Sequence, residues 1–440
     1  MARSPQPSGD AAVVRITGIA AGGAGVGRLP DGRAVFVQRT APGDRVVARV
    51  VEGKKRWARA QLLRVLTPSP DRRVAPCPHY GRCGGCTLEH LAYPAQLRAK
   101  ASLVVEALRR IGGVEAALPE VTASPDEFRY RNRVSFTLVR LEHGRVVAGF
   151  HELEHPGRVL DIGADCLLPE PAVSAVWGRL RERWGLDALR LPAGARLRLT
   201  LRGTGAGPVS LLVDGGFGPG RPDELLADVE GLESIWHRPG DDPERPAVLL
   251  AGAESLPESW QEEDVALSGA VFLQVNRAAA ALLEEHVVTL VGDVAGQKVV
   301  DAYCGVGLHA RRLARRGARV TGIELDPVAV AEARRGAATG DAAEFVEARV
   351  EDALPAALPA GLVILNPPRA GLDAAVPGQL LAAPPGRLVY VSCDPATLAR
   401  DLGRLAAGFE LRSIRCFDLF PQTAHVETVA DLVRVRPGGD

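Results

Sequence analysis

Residues 12–66 alternate apolar and polar positions with period two in four short runs (AVVRITGIA, GRAVFVQR, DRVVARVVEG, WARAQLLRVL), broken by Gly, Pro and Asp at regular intervals. Alternation sends successive side chains to opposite faces of a strand, and several short strands separated by turn residues predict a small barrel. The glycine-rich stretch GIAAGGAGVGRLPDG inside it lacks both the following helix and the Lys-Ser/Thr pair of a phosphate loop, so it reads as a hairpin connection. After a proline-rich join (TPSPDRRVAPCPHYGRCGGC), a helix is expected over 94–111, opened by Pro94 and closed by Gly112 and Gly113. Residues 114 to about 265 read as a strand-rich middle with loops full of Gly and Pro. From about residue 270 the period changes, and buried strands (KVVDAYCG, ARVTGIE, GLVILNPPR, GRLVYVSCD) alternate with helices (HARRLARRG, PVAVAEARRGAA, PATLARDLGRLAAG). This βαβ alternation predicts an α/β doubly wound parallel sheet. Two last strand candidates, FELRSIRCFDLFP and HVETVADLVRV, have no helix between them and close the sheet as an antiparallel hairpin.

At 440 residues the chain is too long for one ordinary core, which predicts two or three domains. It has no run of about 18 apolar residues, and its first ten residues, MARSPQPSGD, are polar. The expectation is a cytoplasmic protein with no membrane partner. Net charge is zero, yet residues 1–110 carry 19 Lys plus Arg against 7 Asp plus Glu, while the remainder carries 34 against 46. A basic module on a more acidic body suggests a polyanion-binding appendage on an enzyme. Seven cysteines in a chain of this size do not make a disulfide framework. Three of them, Cys77, Cys83 and Cys86, are separated by five and two residues; Cys166 supplies a fourth thiolate if the fold returns it to them. Four sulfurs suit an iron–sulfur cluster or tetrahedral zinc, and spacing alone does not separate the two.

Asp301-Ala302-Tyr303-Cys304-Gly305-Val306-Gly307 ends the first strand of the alternating region and turns into a helix. Glycines there let backbone amides approach a ligand, and Glu324, 19 residues after Gly305 at the end of the next strand, can accept both hydroxyls of an adenosine ribose. A nicotinamide dinucleotide would be served by the same acid, but the third glycine of that fingerprint is missing and the fourth strand ends in Asn366-Pro367-Pro368-Arg369. Cys393 stands at the carboxyl end of the apolar strand RLVYVSC, where open α/β sheets hold their ligands, and DPATLARD opens a helix directly behind it. A thiol beside a helix N-terminus is expected to feel a positive potential that favours the thiolate.

FLQVN, DAYCGVG, NPPRAGLD, SCDPATLARD and FPQTAHVE together resemble the uracil-C5 RNA methyltransferase family. The glycine turn, VFV strand and PGD-R-VARV strand of the first segment resemble a TRAM domain, an OB-like RNA-binding module. With the cysteine cluster, the resemblance covers nearly the whole chain. It implies a TRAM-like barrel over 1–70, a central domain over 71–265 with the helix at 94–111 able to pack on the catalytic domain, and a class I (Rossmann-like) methyltransferase domain over 266–440. The implied reaction moves a methyl group from S-adenosylmethionine to C5 of a uridine. Cys393 adds to C6 and Glu427 of HVE removes the C5 proton. Gln274, Tyr303, Gly305, Gly307, Glu324 and Asn366 are the implied cofactor contacts, with Asn276 fixing its own loop. Cys77, Cys83, Cys86 and Cys166 are implied to hold a [4Fe–4S] cluster, with zinc as the alternative; Cys304 and Cys416 read as structural. The substrate is 23S rRNA or tRNA, with the barrel and cluster favouring 23S rRNA, and the enzyme is expected to be a monomer without an obligate protein partner.

Three positions depart from the family pattern. Leu308 replaces an Asn after the second glycine, Asn366 replaces an Asp, and Arg349 stands near a usual acid, for which Asp352 is the nearby substitute. These leave nucleophile, base and ribose acid in place; the alternative is an RNA-binding protein on a catalytically weakened methyltransferase scaffold. In FRYRNRVSF, Arg129, Arg131, Asn132 and Arg133 interleave with Phe128 and Tyr130. That segment reads either as an RNA contact, with cations for phosphates and rings for unpaired bases, or as a basic strand with one core face.

Overall fold

The computed structural model describes residues 11–435 apart from 241, 243, 244, 261, 262, 270, 272 and 338–341. The polar stretch MARSPQPSGD lies outside the described residues.

Alternation in the first segment closes on itself. Strands β1 (Ala11–Ile19), β2 (Gly25–Arg28), β3 (Ala34–Val37), β4 (Arg45–Gly53) and β5 (Trp57–Thr67) form a closed barrel in the order β1-β2-β3-β5-β4. Val14, Ile16, Val35, Val37, Val46, Ala48 and Ala58 fill its interior. The glycine-rich stretch is a hairpin connection as expected, with β1 and β2 antiparallel. The buried Asp44 carboxylate ties the barrel to the following join, accepting from Ser69 N at 2.8 Å, Ala41 N at 2.6 Å and Arg72 Nη2 at 2.7 Å.

Helix α1 (Tyr93–Ala107) starts with Pro94 in its first turn, runs on as a wider π-helical turn through Leu108–Gly112, and ends at Gly113 with φ 63°. Its Val104 and Leu108 enter the core of the C-terminal sheet beside Leu398, Ala399 and Leu402. Gly112 must be glycine there, because a Cβ would stand 2.5 Å from the Ala399 carbonyl oxygen. Strand β6 (Val121–Thr122) goes the same way: the sequence pattern assigns it to the middle of the chain, yet it pairs in parallel with the edge of the C-terminal sheet, Val121 opposite Cys416.

The middle builds a seven-stranded sheet from β7 (Arg133–Arg140), β8 (Val146–His151), β9 (Val159–Asp161), β10 (Arg196–Gly203), β11 (Val209–Asp214), β12 (Leu232–Arg238) and β13 (Val248–Gly252), in the order β13-β12-β11-β10-β7-β8-β9. Helices α2 (Pro171–Arg183) and α3 (Pro222–Asp228) cover it, and Phe136 stacks on Trp177 with ring centroids 4.2 Å apart. A separate hairpin, β14 (Ser255–Trp260) with β15 (Glu263–Ser268), follows.

The C-terminal region is the expected doubly wound sheet. Helix α4 (Arg277–Val291) leads into β16 (Lys298–Ala302), α5 (Leu308–Arg315), β17 (Arg319–Glu324), α6 (Pro327–Gly336), β18 (Ala343–Glu347), α7 (Val350–Ala357), β19 (Leu362–Leu365), α8 (Ala375–Ala382), β20 (Arg387–Ser392), α9 (Pro395–Leu405), β21 (Phe409–Phe417) and β22 (Glu427–Arg434). The order is β18-β17-β16-β19-β20-β22-β21-β6, and β22 runs antiparallel to both of its neighbours. Neighbour order reverses between β16 and β19, which opens a crevice at the carboxyl ends of the strands.

One buried ion pair holds the two ends of the chain together. Lys100 Nζ of α1 stands 2.5 Å from Asp418 Oδ1 in the loop after β21, with both side chains fully enclosed. Removing one partner strands the other charge away from water. Lys100→Met is therefore expected to lower unfolding stability by about 3–5 kcal/mol, read from denaturant titration of the full chain; a loss within about 1 kcal/mol contradicts a paired, desolvated Asp418.

Candidate active site

At the carboxyl ends of β16, β17, β19 and β20 lies a cavity of about 1080 Å³. Its lining includes Gln274, Tyr303, Gly305, Glu324 and Asn366 together with Cys393, Glu427, Arg369, Arg131 and Phe420. Seven of the eight sequence-predicted catalytic and cofactor residues thus meet in one place.

The eighth, Gly307, does not line the cavity. It caps α5 with φ 75°, and a Cβ there would meet the Phe345 ring at 2.5 Å, so its glycine serves the turn and the packing behind it. Gly305, with φ 55°, faces open space where a Cβ would meet nothing. Its amide donates to Glu324 Oε2 at 3.0 Å, while Glu324 Oε1 accepts from Leu325 N at 2.7 Å and Asp326 N at 2.9 Å. These amides fix the carboxylate at the end of β17, and Oε2, with one donor, keeps a lone pair for a further one. Behind this turn Asp301 is fully enclosed, accepts from Ala310 N at 3.1 Å, and is pushed up to about 7 by burial.

Gln274 is placed by its backbone, whose carbonyl accepts from Asn132 Nδ2 at 2.9 Å. Asn276 holds the loop as expected: Oδ1 caps α4 at Ala279 N and Nδ2 donates to Ser124 Oγ at 3.0 Å. The departures Leu308, Arg349 and Asn366 all face the cavity. The lining acid near Arg349 is Glu351, 3.6 Å from it, and not Asp352. Cys304, expected to be purely structural, also lines the cavity, whereas Cys416 is enclosed beside Thr428.

Cys393 follows directly on β20. The register Ser392 opposite Thr428 sets Cys393 one step beyond the last pair, facing Glu427 at the start of β22. Glu427 is 3 % exposed, and burial pushes its carboxyl up to about 7, against the pull of the Arg369 guanidinium. Burial, then the Glu427 carboxylate, raises the Cys393 thiol above its ordinary value, with Arg369 opposing both. The expected thiolate-favouring helix end is therefore not the controlling influence. Asp394 explains why: its carboxylate takes the first free amides of α9, Ala396 N and Thr397 N, both at 2.9 Å, and adds a negative charge beside the sulfur. Arg369 is the charge that matters here. The NPPR sequence placed it at the end of the fourth strand without giving it a role.

Most of the FRYRNR segment works internally. Arg129 donates to the Cys166 carbonyl at 2.7 Å and to Ser174 Oγ, Tyr130 is buried and donates to the Pro421 carbonyl, and Asn132 holds Gln274. Arg131 alone of the segment lines the cavity, its guanidinium 5.8 Å from the centre of the Phe420 ring. Phe420 in turn meets His425 edge-on at 5.8 Å.

Cys77, Cys83, Cys86 and Cys166 are brought together around one small cavity, with Tyr80 and Glu89 on its wall. Burial comes first and mutual repulsion adds to it in raising the thiols of Cys83, Cys86 and Cys166, and Cys77 is raised by burial and by Glu89. Among the described residues no three His, Cys, Asp or Glu side chains stand as a ready ligand set for a metal ion. The donor chemistry nonetheless fits a cationic centre, which would reverse the repulsion among four thiolates.

Residues 345–435 match the tRNA (Uracil-5-)-methyltransferase family, residues 9–63 the TRAM domain and residues 299–366 a general methyltransferase domain. An uncharacterised RNA methyltransferase of Gloeobacter violaceus is 36% identical over 97% of both chains, and one of Halalkalibacterium halodurans 32% identical over 98% of both. Among solved structures, Pyrococcus abyssi tRNA (uracil-54, C5)-methyltransferase in complex with S-adenosyl-L-homocysteine superposes with a TM-score of 0.74 and 28% identity, over 96% of this chain and 100% of that one. With a full-length likeness of this strength and a cavity lined as described, the chain belongs to the S-adenosylmethionine-dependent RNA methyltransferases of the tRNA (uracil-5-)-methyltransferase type.

Proposed function

We propose that the protein methylates C5 of a uridine in RNA through a transient bond between Cys393 and C6. The observation that carries this reading is the cross-strand placement of Cys393 and Glu427 in the same cavity that Gln274, Tyr303, Gly305, Glu324 and Asn366 line. Those five residues would hold S-adenosylmethionine, which supplies an electrophilic methyl group when bound. Glu324 is preset for the ribose hydroxyls by its backbone donors, and Gly307 shapes the turn.

C5 of uracil is a weak nucleophile until a sulfur anion adds to C6 and the C5–C6 electron pair shifts toward the ring carbonyl. Arg369 favours the anionic sulfur and the anionic carboxylate alike. Once C5 has bonded to the methyl carbon, the electrons of the former methyl–sulfur bond staying on the donor's sulfur, Glu427 takes the C5 proton. The electrons of that C–H bond restore the double bond as the C6–S bond breaks and the thiolate leaves. A carboxyl with its titration near neutrality is suited to this transfer, because it is ionised often enough to accept and basic enough to pull.

The basic barrel and the cysteine set support 23S rRNA as the substrate. A tRNA substrate is the second reading, favoured by the full-length likeness to the Pyrococcus tRNA enzyme. The four cysteines would hold a [4Fe–4S] cluster, with zinc as the alternative. No helix among the described residues is long and apolar enough to cross a membrane, and a cytoplasmic monomer fits the reading.

Cys393→Ala is expected to abolish methyl transfer to unmodified rRNA and tRNA while RNA binding persists. 5-Fluorouridine RNA, whose C5 carries no removable proton, should form a denaturation-resistant adduct at residue 393 with wild-type protein and cofactor; absence of that adduct sinks the mechanism. Glu427→Gln should still form the adduct but release the C5 proton about 10²–10⁴-fold more slowly. Mapping 5-methyluridine in both RNA classes from cells lacking the gene decides between the substrates.

The pH dependence has a stated sign. Since Glu427 acts ionised, kcat/KM should rise through about pH 7, and Arg369→Ala should move that rise upward. Iodoacetamide labelling of Cys393 should become faster in Glu427→Gln and slower in Arg369→Ala, because one removes a charge that opposes the thiolate and the other a charge that favours it.

Protein purified without oxygen should contain iron and acid-labile sulfide, both lost in Cys86→Ser; zinc without sulfide overturns the cluster assignment in favour of a single ion.

A further inference from the structure

The loop between β21 and β22 carries Phe420 into the cavity and delivers Glu427 to it, yet its fastenings come from residues far earlier in the chain. Three successive carbonyls are each held by a different segment. Lys100 Nζ donates to the Phe420 carbonyl at 3.1 Å, Tyr130 Oη to the Pro421 carbonyl at 2.9 Å, and the amides of Thr87 and Leu88 to the Gln422 carbonyl at 2.9 Å each. Thr87 is the residue after Cys86, so the last clamp is the end of the cysteine loop itself.

Gln422 sits at the centre of this junction, fully buried and with φ 70°. Its Oε1 accepts from Arg73 Nη2 at 2.7 Å and Gln96 Nε2 at 2.9 Å. Its amide donates to Gln96 Oε1 at 3.0 Å, and its Nε2 donates to the Glu127 carbonyl at 3.2 Å. Arg73 bonds Glu127 as well, at 2.7 Å, and Ala424 packs against Leu88, Leu91 and Ala95. A left-handed backbone at a residue with a side chain costs energy, and it persists only where the surroundings enforce it. Cys393, by contrast, stands between β20 and α9, and among the described residues none of the junction's hydrogen bonds goes to it.

We propose that Gln422 is a positioning residue that couples the order of the cysteine loop to the placement of Phe420 and Glu427, so that loosening the cysteine loop slows removal of the C5 proton and spares attack on C6. The cysteine set then acts on catalysis without touching the substrate: it holds the loop whose far end is the base. This rests on the proposed roles of Cys393 and Glu427.

The test separates the two half-reactions. 5-Fluorouridine RNA reports adduct formation alone, and tritium release from [5-³H]uridine RNA reports proton removal. Gln422→Ala, Cys86→Ser and the milder Arg73→Ala are compared with wild type in the full chain. Expected are adduct rates within about twofold of wild type and tritium release lowered about tenfold in the first two, with the double variant Cys86→Ser/Gln422→Ala no slower than the slower single, as coupled sites behave. Equal losses in both half-reactions, or effects that multiply, overturn the proposal. A second readout needs no chemistry: amide hydrogen exchange over residues 419–427 should quicken in Cys86→Ser, and unchanged exchange there also overturns it. If wild-type protein itself forms no adduct, the proposed mechanism fails, and the exchange result still decides whether the coupling exists.

Discussion

Two acids, the half-buried Cys393 just past β20 and the buried Glu427 at the start of β22, stand side by side, and the rest of the site is arranged around that unfavourable placement. Withdrawal from water penalises the anionic forms of Cys393 and Glu427, and the Glu427 carboxylate further penalises the Cys393 thiolate. Arg369, an exposed cation on the loop after β19, is the compensating charge. Burial thus works against both groups being ionised at once, and the proposed reaction needs a sulfur anion and a carboxylate at different moments. The helix behind Cys393 contributes less than its position suggests, because Asp394 already occupies its amides.

Much of this could be read from residue order. Period-two alternation gave the barrel, the change of period near residue 270 gave the wound sheet, and a cysteine ending an apolar strand gave a thiol that lines the cavity, because these features depend on neighbours along the chain. What could not be read depends on partners brought in from elsewhere. Gly307 looks like a ligand-facing glycine until Phe345 is seen behind it. Arg129, Tyr130 and Asn132 look like an RNA-binding run until Cys166, Pro421 and Gln274 are found accepting their hydrogen bonds. A backbone carbonyl leaves no mark in the sequence, so side chains committed to distant carbonyls are indistinguishable there from side chains free to bind substrate. The short strand Val121–Thr122 was hidden for a related reason: two residues are too few to show a period, and its partner lies near the other end of the chain.

The three architectural units are therefore less separate than their sequence segments. The cysteine loop follows the barrel in sequence but fastens to the C-terminal loop, and α1 lies against α9 although the whole middle sheet intervenes along the chain. Asn132, directly before β7, and Asn276, through Ser124 after β6, tie the loop that presents Gln274 to earlier segments of the chain. Changes made to the N-terminal half thus reach the methyltransferase cavity through backbone positions, without any residue of the barrel lining it.

The placement of β6 at the sheet edge bears on how the molecule is made. A ribosome delivers residues 93–122 long before Asp418 or β21 exist, so Lys100 must wait hydrated, and Val104 and Leu108 must wait without a face to cover. The last strands to emerge then complete a structure whose border was synthesised first. A fragment beginning at the catalytic segment would leave β21 unpaired at its outer edge and Leu398, Ala399 and Leu402 of α9 without Val104 and Leu108 against them, an open border of the kind that recruits other chains.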